Sequence, residues 1–379
     1  MEEKQMNQIF GIEEVPKALR EDNDFNNNYS ENNRKKKRKK KSILKKLIII
    51  VCILILLGVG SLAFILYGPY HGFRDWFITT AMTTMEHQWL AYLFYSQETI
   101  DKVMANNTVE EIDEETDTDA IKVNLVEKKE YENEYEREIL QKEHPGDKYK
   151  IIKISGKGYT GYLAVIYDPS KVHTLVTAKM GKSGQYLTTM AKDNKAVVAI
   201  NGGGFDDPDY NSNAANPLGI TYSKGKLFTD YYYAGTGGII GFDKEDKLVL
   251  ASNCTKATAE KLGVRDAVTC GPFLIVNGKA STVVGNGGWG TAPRSAIAQR
   301  KDGIVLFLAI DGRMVKRPGA DMDDLIEVLQ KYGAYNAANL DGGTSTAMVV
   351  NYELINDPVD STGAHKTRFI STGFGLIDN

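Results

Sequence analysis

From Leu47 to Tyr67 the chain reads LIIIVCILILLGVGSLAFILY, 21 residues without a charge. At about 1.5 Å of rise per residue, a helix of that length spans a hydrocarbon core of about 30 Å. Directly before it stands RKKKRKKK, Arg34 to Lys41, with Lys45 and Lys46 at its edge. Basic flanks stay on the cytoplasmic side, so residues 1–46 are expected inside the cell and everything after Tyr67 outside. A cleaved signal peptide is the competing reading. Against it stand the 46-residue lead-in, an apolar run longer than a typical h-region, and no clear small-x-small cleavage site after it. The expectation is an uncleaved, single-pass signal-anchor in the cell membrane, with residues 47–67 as the lipid contact. Anionic lipid would reinforce the basic run.

Charge narrows the function. Ten Lys and Arg lie between Arg34 and Lys46, so the net charge of −3 becomes −13 for the rest of the chain. A nucleic-acid binder carries its positive charge on the folded part, so no nucleic-acid partner is expected. Apolar residues at 42% and charged residues at 25% also exclude a disordered or polytopic chain. Residues 1–33, ending in FNNNYSENN, read as a disordered polar tail. Residues 68–105 are apolar but interrupted by Arg74, Asp75 and Glu86, which argues against a second span. Their aromatics Phe73, Trp76, Phe77, Trp89, Tyr92, Phe94 and Tyr95 suit a juxtamembrane helical neck. Residues 106–150 are acidic and read as an exposed linker or stalk. Cys52 lies within the span, while Cys254 and Cys270 fall on the expected outer side, where one disulfide could persist.

The folded domain is placed at residues 151–379, which hold 30 of the 36 glycines. Short β-rich runs alternate there with Gly and Asn turns. Strands are expected at 162–167, 196–200, 238–242, 273–276, 295–299, 304–310, 347–350 and 374–377. Helices are expected at 185–192 and 322–332, the second with Asp321 as N-cap, Asp324 at the third helical position and Gly333 as its stop. Strands outnumber helices and stand too close together for βαβ crossovers. The expected class is therefore α+β with a mixed β-sheet and a few helices.

Five constellations could carry chemistry. In VVAINGGGFDD a buried-type strand ends at Asn201, and Gly202, Gly203 and Gly204 could offer amides to an oxyanion ahead of Asp206; a tight turn is the plain alternative. TCGPFLIVNGKA contains the hairpin signal Asn277-Gly278, so most of it is structural. Arg294 stands just before one strand and could pair a phosphate oxygen through its planar fork. Asp311-Gly312-Arg313 follows the next strand, where Asp311 could be a ligand, a base or a turn residue. The fourth constellation, NAANLDGGTSTAMVV, is the most informative. Asn339 and Asp341 flank Leu340 and so share one face of an extended chain. Gly342 and Gly343 permit close backbone approach, and Thr344, Ser345 and Thr346 add hydroxyls. Amides and hydroxyls beside a carboxylate suit a polar, oxygen-rich substrate. Fifth, Arg368 near the C-terminal end could add a cation. A Ser–His–Asp site is poorly supported, because only His173 and His365 lie in the folded domain, and zinc lacks ligands. A calcium or magnesium ion held by Asp and Asn oxygens stays open.

Taken in order, these motifs resemble the phosphodiester glycosidase family. The matching stretches are Asn201-Gly202-Gly203-Gly204-Phe205-Asp206, Gly271-Pro272-Phe273, Pro293-Arg294-Ser295-Ala296, Asp311-Gly312-Arg313 and Asn339-Leu340-Asp341-Gly342-Gly343-Thr344-Ser345. The resemblance covers roughly residues 150–379. At Gly204 the family more often has an aromatic, a departure that bears on the shape of the sugar pocket. The resemblance implies hydrolysis of a sugar-1-phosphodiester, with exopolysaccharide or another cell-surface polysaccharide as the expected substrate.

Chemistry fits that implication. The leaving group is a phosphate monoester, a weak base, so breaking C1–O needs less general-acid help than an ordinary glycoside. Asp341 or Asp311 is then the expected carboxylate, and Arg294 with the 202–204 amides the phosphate site. Asn201, Asn339, Thr344 and Ser345 are expected to meet sugar hydroxyls. Two rivals are a metal-dependent phosphodiesterase and a non-catalytic glycan-binding or polysaccharide-assembly protein.

Overall fold

The computed structural model describes residues 17–83, 87–123, 130–207 and 212–378. The chain divides into two units, residues 1–71 and 72–379. The first is dominated by helix α1 (Lys17–Tyr67). Its residues 29–67 form a helix long and apolar enough to cross a membrane, and none of its apolar stretch is buried. The helix continues upstream through the basic run to Lys17. Residues 17–33 of the tail expected to be disordered are thus helical, because extending an already nucleated helix costs little even through Asn-rich sequence. Residues 1–16 of that tail lie outside the described residues.

The short helices α2 (His71–Thr83), which lies in the second unit from Gly72 on, α3 (Gln88–Phe94) and α4 (Gln97–Ala105) fall where the helical neck is expected. Next come β1 (Thr108–Glu110), α5 (Glu134–Leu140), β2 (Tyr149–Gly156), β3 (Tyr159–Ile166) and β4 (Val172–Val176). Helix α6 (Leu187–Asp193) precedes β5 (Ala196–Asn201), β6 (Ile220–Ser223), β7 (Lys226–Asp230), β8 (Gly238–Asp243) and β9 (Leu248–Ala251). Helix α7 (Lys256–Lys261) leads to β10 (Val264–Cys270), β11 (Phe273–Val276), β12 (Lys279–Ala280), β13 (Thr282–Val284), β14 (Arg294–Arg300) and β15 (Val305–Ile310). Helix α8 (Met322–Lys331) and strands β16 (Ala334–Asn339), β17 (Met348–Val350), β18 (Glu353–Leu354) and β19 (Thr372–Ile377) complete the chain.

The α+β class is as expected. In place of one mixed sheet, however, the strands form a seven-stranded sheet, two five-stranded sheets and a two-stranded ribbon. Every strand pair named among the described residues is antiparallel. Short connections such as 301–304 between β14 and β15 are compatible only with that direction.

The seven-stranded sheet, ordered β12-β11-β16-β14-β15-β3-β2, is buried on both faces. Its period-2 pattern shows why. In β15, Leu306, Leu308 and Ile310 join the core with α8, whereas Val305, Phe307 and Ala309 join the core with Ile200, Phe242 and Phe374 of the other sheets. Helix α8 carries a full capping box: the Asp324 amide donates to Asp321 at 3.0 Å and the Asp321 amide to Asp324 at 3.1 Å.

Residues 106–123, expected as part of a free linker, are laid on the domain. β1 pairs with β13. The Glu111 carboxylate accepts from the Phe273 amide at 2.5 Å and the Gly237 amide at 3.1 Å, and the Lys122 amide reaches the Lys301 carbonyl at 2.7 Å. Burial raises the Glu111 pKa above its usual value, opposed by those two amides. The cysteines are all free. Cys254 shares a 3.0 Å hydrogen bond with the Thr269 hydroxyl, and burial pushes the Cys270 thiol up to about 12.

Candidate active site

Strand order brings the candidate residues together. Because β15, β14 and β16 are antiparallel neighbours, the start of β14 and the ends of β15 and β16 meet at one edge. The end of β5 meets the starts of β17 and β19 in the same way. Arg294 opens β14, Arg313 follows β15, Asp341 follows β16 and Arg368 precedes β19.

Asn201 staples the two edges. Its Nδ2 donates to the Asp341 carbonyl at 2.6 Å. Its Oδ1 accepts from the Ser295 hydroxyl at 2.6 Å and from the Ala347 amide at 3.1 Å. The Asp341 amide returns a bond to the Gly202 carbonyl at 3.0 Å, and the Gly343 amide reaches Pro293 at 2.9 Å. The 341–345 turn is thereby fixed by backbone from both sheets.

A cavity of about 160 Å³ lies against that turn, lined by Asp207, Asp341, Arg294, Arg313 and Arg368 together with Gly342, Gly343, Thr344 and Ser345. Thr83 and His87 of the neck and Trp289 close another side. The Thr83 hydroxyl donates to the Trp289 carbonyl at 3.2 Å. Beneath it, Gly290 adopts a φ of +58°, and a Cβ there would lie 2.6 Å from the Thr80 hydroxyl oxygen. Only glycine allows α2 to pack so close.

The two carboxyls are tuned in opposite directions. Burial pushes the Asp341 pKa up. The Ser345 hydroxyl, Arg368 and the Gly342 amide oppose this, while the Asp207 charge adds to it. Burial alone would raise Asp207 too. The Ser212 amide and hydroxyl and the Arg368 guanidinium outweigh it and hold Asp207 below the usual range. Arg368 Nη2 meets Asp207 Oδ2 at 2.8 Å and its guanidinium lies 4.7 Å over the Phe205 ring. Arg313 Nη1 donates to Thr344 Oγ1 at 2.7 Å.

Arg294 faces the cavity, but its guanidinium also binds the carbonyls of Trp289 and Gly290, the latter at 2.8 Å. Burial lowers its pKa to about 10. It positions the 289–290 turn that meets the neck.

Several expected roles are corrected. The amides of Gly202, Gly203 and Gly204 are engaged with the Thr372 carbonyl, the Thr372 hydroxyl and the Thr269 carbonyl at 2.9, 3.1 and 3.2 Å, so none is left for a phosphate. A Cβ on Gly203 would lie 2.3 Å from the Thr269 carbonyl oxygen: this glycine serves close packing of backbone on backbone. Asp206 is exposed and outside the cavity, and Asp207 takes the place expected of it. Asn201 and Asn339 lie beneath the cavity rather than on it; Asn339 Nδ2 donates to the Gly271 carbonyl at 2.8 Å. Asp311 is also set back. It accepts from Asn356 Nδ2 at 3.0 Å and the Asp357 amide at 2.9 Å, and burial raises its pKa.

Sequence reasoning missed Asp207, Thr83, His87 and Trp289. The doubled acid in Phe205-Asp206-Asp207 was the one local signal. Among the described residues no group of three or more His, Cys, Asp and Glu comes together. The two pocket carboxyls stand among three arginines, a donor set that suits an anionic ligand better than a divalent cation.

Comparison with known proteins agrees with the resemblance over the C-terminal half of the chain. Residues 194–377 match the family model of the phosphodiester glycosidases. The catalytic domain of zebrafish N-acetylglucosamine-1-phosphodiester alpha-N-acetylglucosaminidase, in a form auto-inhibited by its pro-peptide, shares the fold. The TM-score is 0.51 at 22% identity, over 62% of this chain and 86% of that one. The SPbeta prophage-derived uncharacterized protein YomE of Bacillus subtilis strain 168 is 27% identical over 231 residues. The match takes in 57% of this chain and 34% of YomE, so the chain spans about a third of that relative's length. The matched segment contains Asn201, Asp207, Arg294, Arg313, Asp341 and Arg368.

Proposed function

We propose that this chain is a membrane-anchored hydrolase cleaving the glycosidic bond of a sugar-1-phosphodiester at the cell surface. Residues 47–67 are its signal-anchor, with the N-terminus cytoplasmic and the domain outside. One observation carries the reading: a single pocket, in a domain matching this family, holds two oppositely tuned carboxyls among three guanidinium groups.

Arg313 and Arg368 meet the non-bridging phosphate oxygens and stabilise the charge that develops on the leaving group. Asp207 orients Arg368 and stays ionised. Asp341, the more basic carboxylate, takes the proton of a water attacking C1. The water oxygen ends on C1, the C1–O bond breaks, and the phosphate monoester leaves with the electron pair. Thr344 and Ser345 order the turn that carries Asp341. Cell-surface polysaccharide is the natural setting for such a substrate on an outward-facing domain.

The test incubates the full chain in nanodiscs with a panel of UDP-sugars and sugar-1-phosphate diesters in oxygen-18 water, followed by mass spectrometry. Label in the free sugar, absent with Asp341→Asn, is the expected result. Label in the phosphate would place the protein among phosphodiesterases, and no turnover across the panel would leave a glycan-binding or assembly role. A chelator should leave turnover unchanged, because the arginines already supply the positive charge. Loss of turnover on chelation, restored by calcium or magnesium, would assign Asp207 and Asp341 to a metal.

A further inference from the structure

A second cavity, about 420 Å³, opens beside the first and shares His87, Arg313 and Ser361 with it. Its character is different. Trp76, Phe77, Ala81 and Leu90, from α2 and α3, make its neck-side wall, and the 360–363 turn lies opposite. Arg313 lines both cavities, so an occupant of the apolar one lies next to a guanidinium of the arginine-lined pocket. Phe77 is braced from behind by Phe94 and Tyr95, with ring centroids 5.9 and 6.2 Å away. Trp76, by contrast, remains 43% exposed. An open aromatic wall of this kind holds hydrocarbon by burying apolar surface.

Resting on the glycosyl phosphodiester reading above, we propose that this cavity receives the second ester arm of the substrate and that the arm is an aliphatic chain. The substrate class is then a glycosyl phosphate carried on a lipid, and hydrolysis releases free sugar and a lipid phosphate. Three observations select this occupant. The cavity adjoins the pocket and Arg313 lines both, so a phosphate held at Arg313 would sit between a polar and an apolar arm. Its neck-side wall is dominated by Trp76, Phe77, Ala81 and Leu90, with Thr80 and His87 beside them and the polar 360–362 residues confined to the opposite side, so one whole face is offered to hydrocarbon. Finally, Trp76 follows the last residue of the apolar span by only nine positions, so the chain that builds the wall is the chain that leaves the bilayer.

Calorimetry on the full chain in nanodiscs, with empty nanodiscs as control, tests this using hexyl phosphate and methyl phosphate. Hexyl phosphate should bind at least tenfold more tightly. Trp76→Ala and Leu90→Ser should each remove most of that preference while leaving methyl phosphate affinity unchanged. Equal affinity for the two probes would overturn the apolar arm and leave the phosphate site standing. A preference that survives both substitutions would place the chain elsewhere, on the bilayer or on a second copy, and overturns the proposal equally. Failure of both probes to bind would remove the phosphate site itself, and the functional reading with it.

Discussion

Asn201 gives its side-chain amide proton to the backbone carbonyl of Asp341, 140 positions away, at 2.6 Å. The bond joins the end of β5 to the turn after β16, so the turn that carries Asp341 is held by a residue of another sheet. The same side chain accepts from Ser295 and Ala347, so that both its amide nitrogen and its carbonyl oxygen are engaged within the buried seam. Asn201→Ala leaves a buried hydroxyl, amide and carbonyl without that partner and should cost about 3 kcal/mol, since each orphaned buried group costs roughly 1–3 kcal/mol. Chemical denaturation of the full chain measures this. A loss under 1 kcal/mol would mean that the seam closes without it.

The pH dependence of turnover should report Asp341. Its raised pKa sets the acid limb of kcat/KM above the ordinary carboxylate range, with activity rising as pH rises through it. Removing the Ser345 hydroxyl takes away a stabiliser of the charged form, so Ser345→Ala moves the limb to higher pH. Removing the Asp207 charge takes away a repulsion and frees Arg368, so Asp207→Asn moves it lower. Limbs that move together in the two variants would contradict the assignment.

Asp311 and Asp341 look alike in sequence, each preceding a glycine at the end of an apolar strand. The structure separates them. Asp341→Asn should reduce kcat by about 10³-fold, within the range a positioned acid–base group supplies. Asp311→Asn should keep turnover within about threefold. Its stability at neutral pH should be unchanged or slightly higher, because the Asn oxygen still accepts from Asn356 and Asp357 while the buried charge, whose desolvation raises the Asp311 pKa, is gone. Steady-state kinetics and melting curves on the two variants give the comparison.

Gly290 controls the neck. Gly290→Ala combines a φ of +58° with a Cβ 2.6 Å from the Thr80 hydroxyl oxygen and 2.9 Å from its Cα. The expected cost is about 1–2 kcal/mol of local docking. Hydrogen exchange should increase in 72–83, and KM should rise more than kcat falls because Thr83 and His87 form part of the pocket. Unchanged exchange there would show that α2 holds by its apolar face alone.

What the sequence by itself determined is local in range. Apolar runs bounded by turn residues marked strands at 162–167 and 304–310, and the Asp321–Asp324 spacing marked the start of α8. Twenty-one uncharged residues marked the long apolar helix, and the Asp341 motif marked the loop where the carboxylate sits. Each depends on neighbours a few positions apart. Tertiary structure decided the rest, because it depends on contacts between distant segments. The amides of residues 202–204 could be an oxyanion site or packing elements, and only the pairing of β5 with β19 and the approach of β10 show that acceptors already fill them. Asp207 displaces Asp206 because the 205–217 bridge and the Arg368 ion pair set which acid faces inward. The neck becomes a wall of the pocket because Gly290 lets Thr80 approach, a relation across 210 residues that no local pattern encodes.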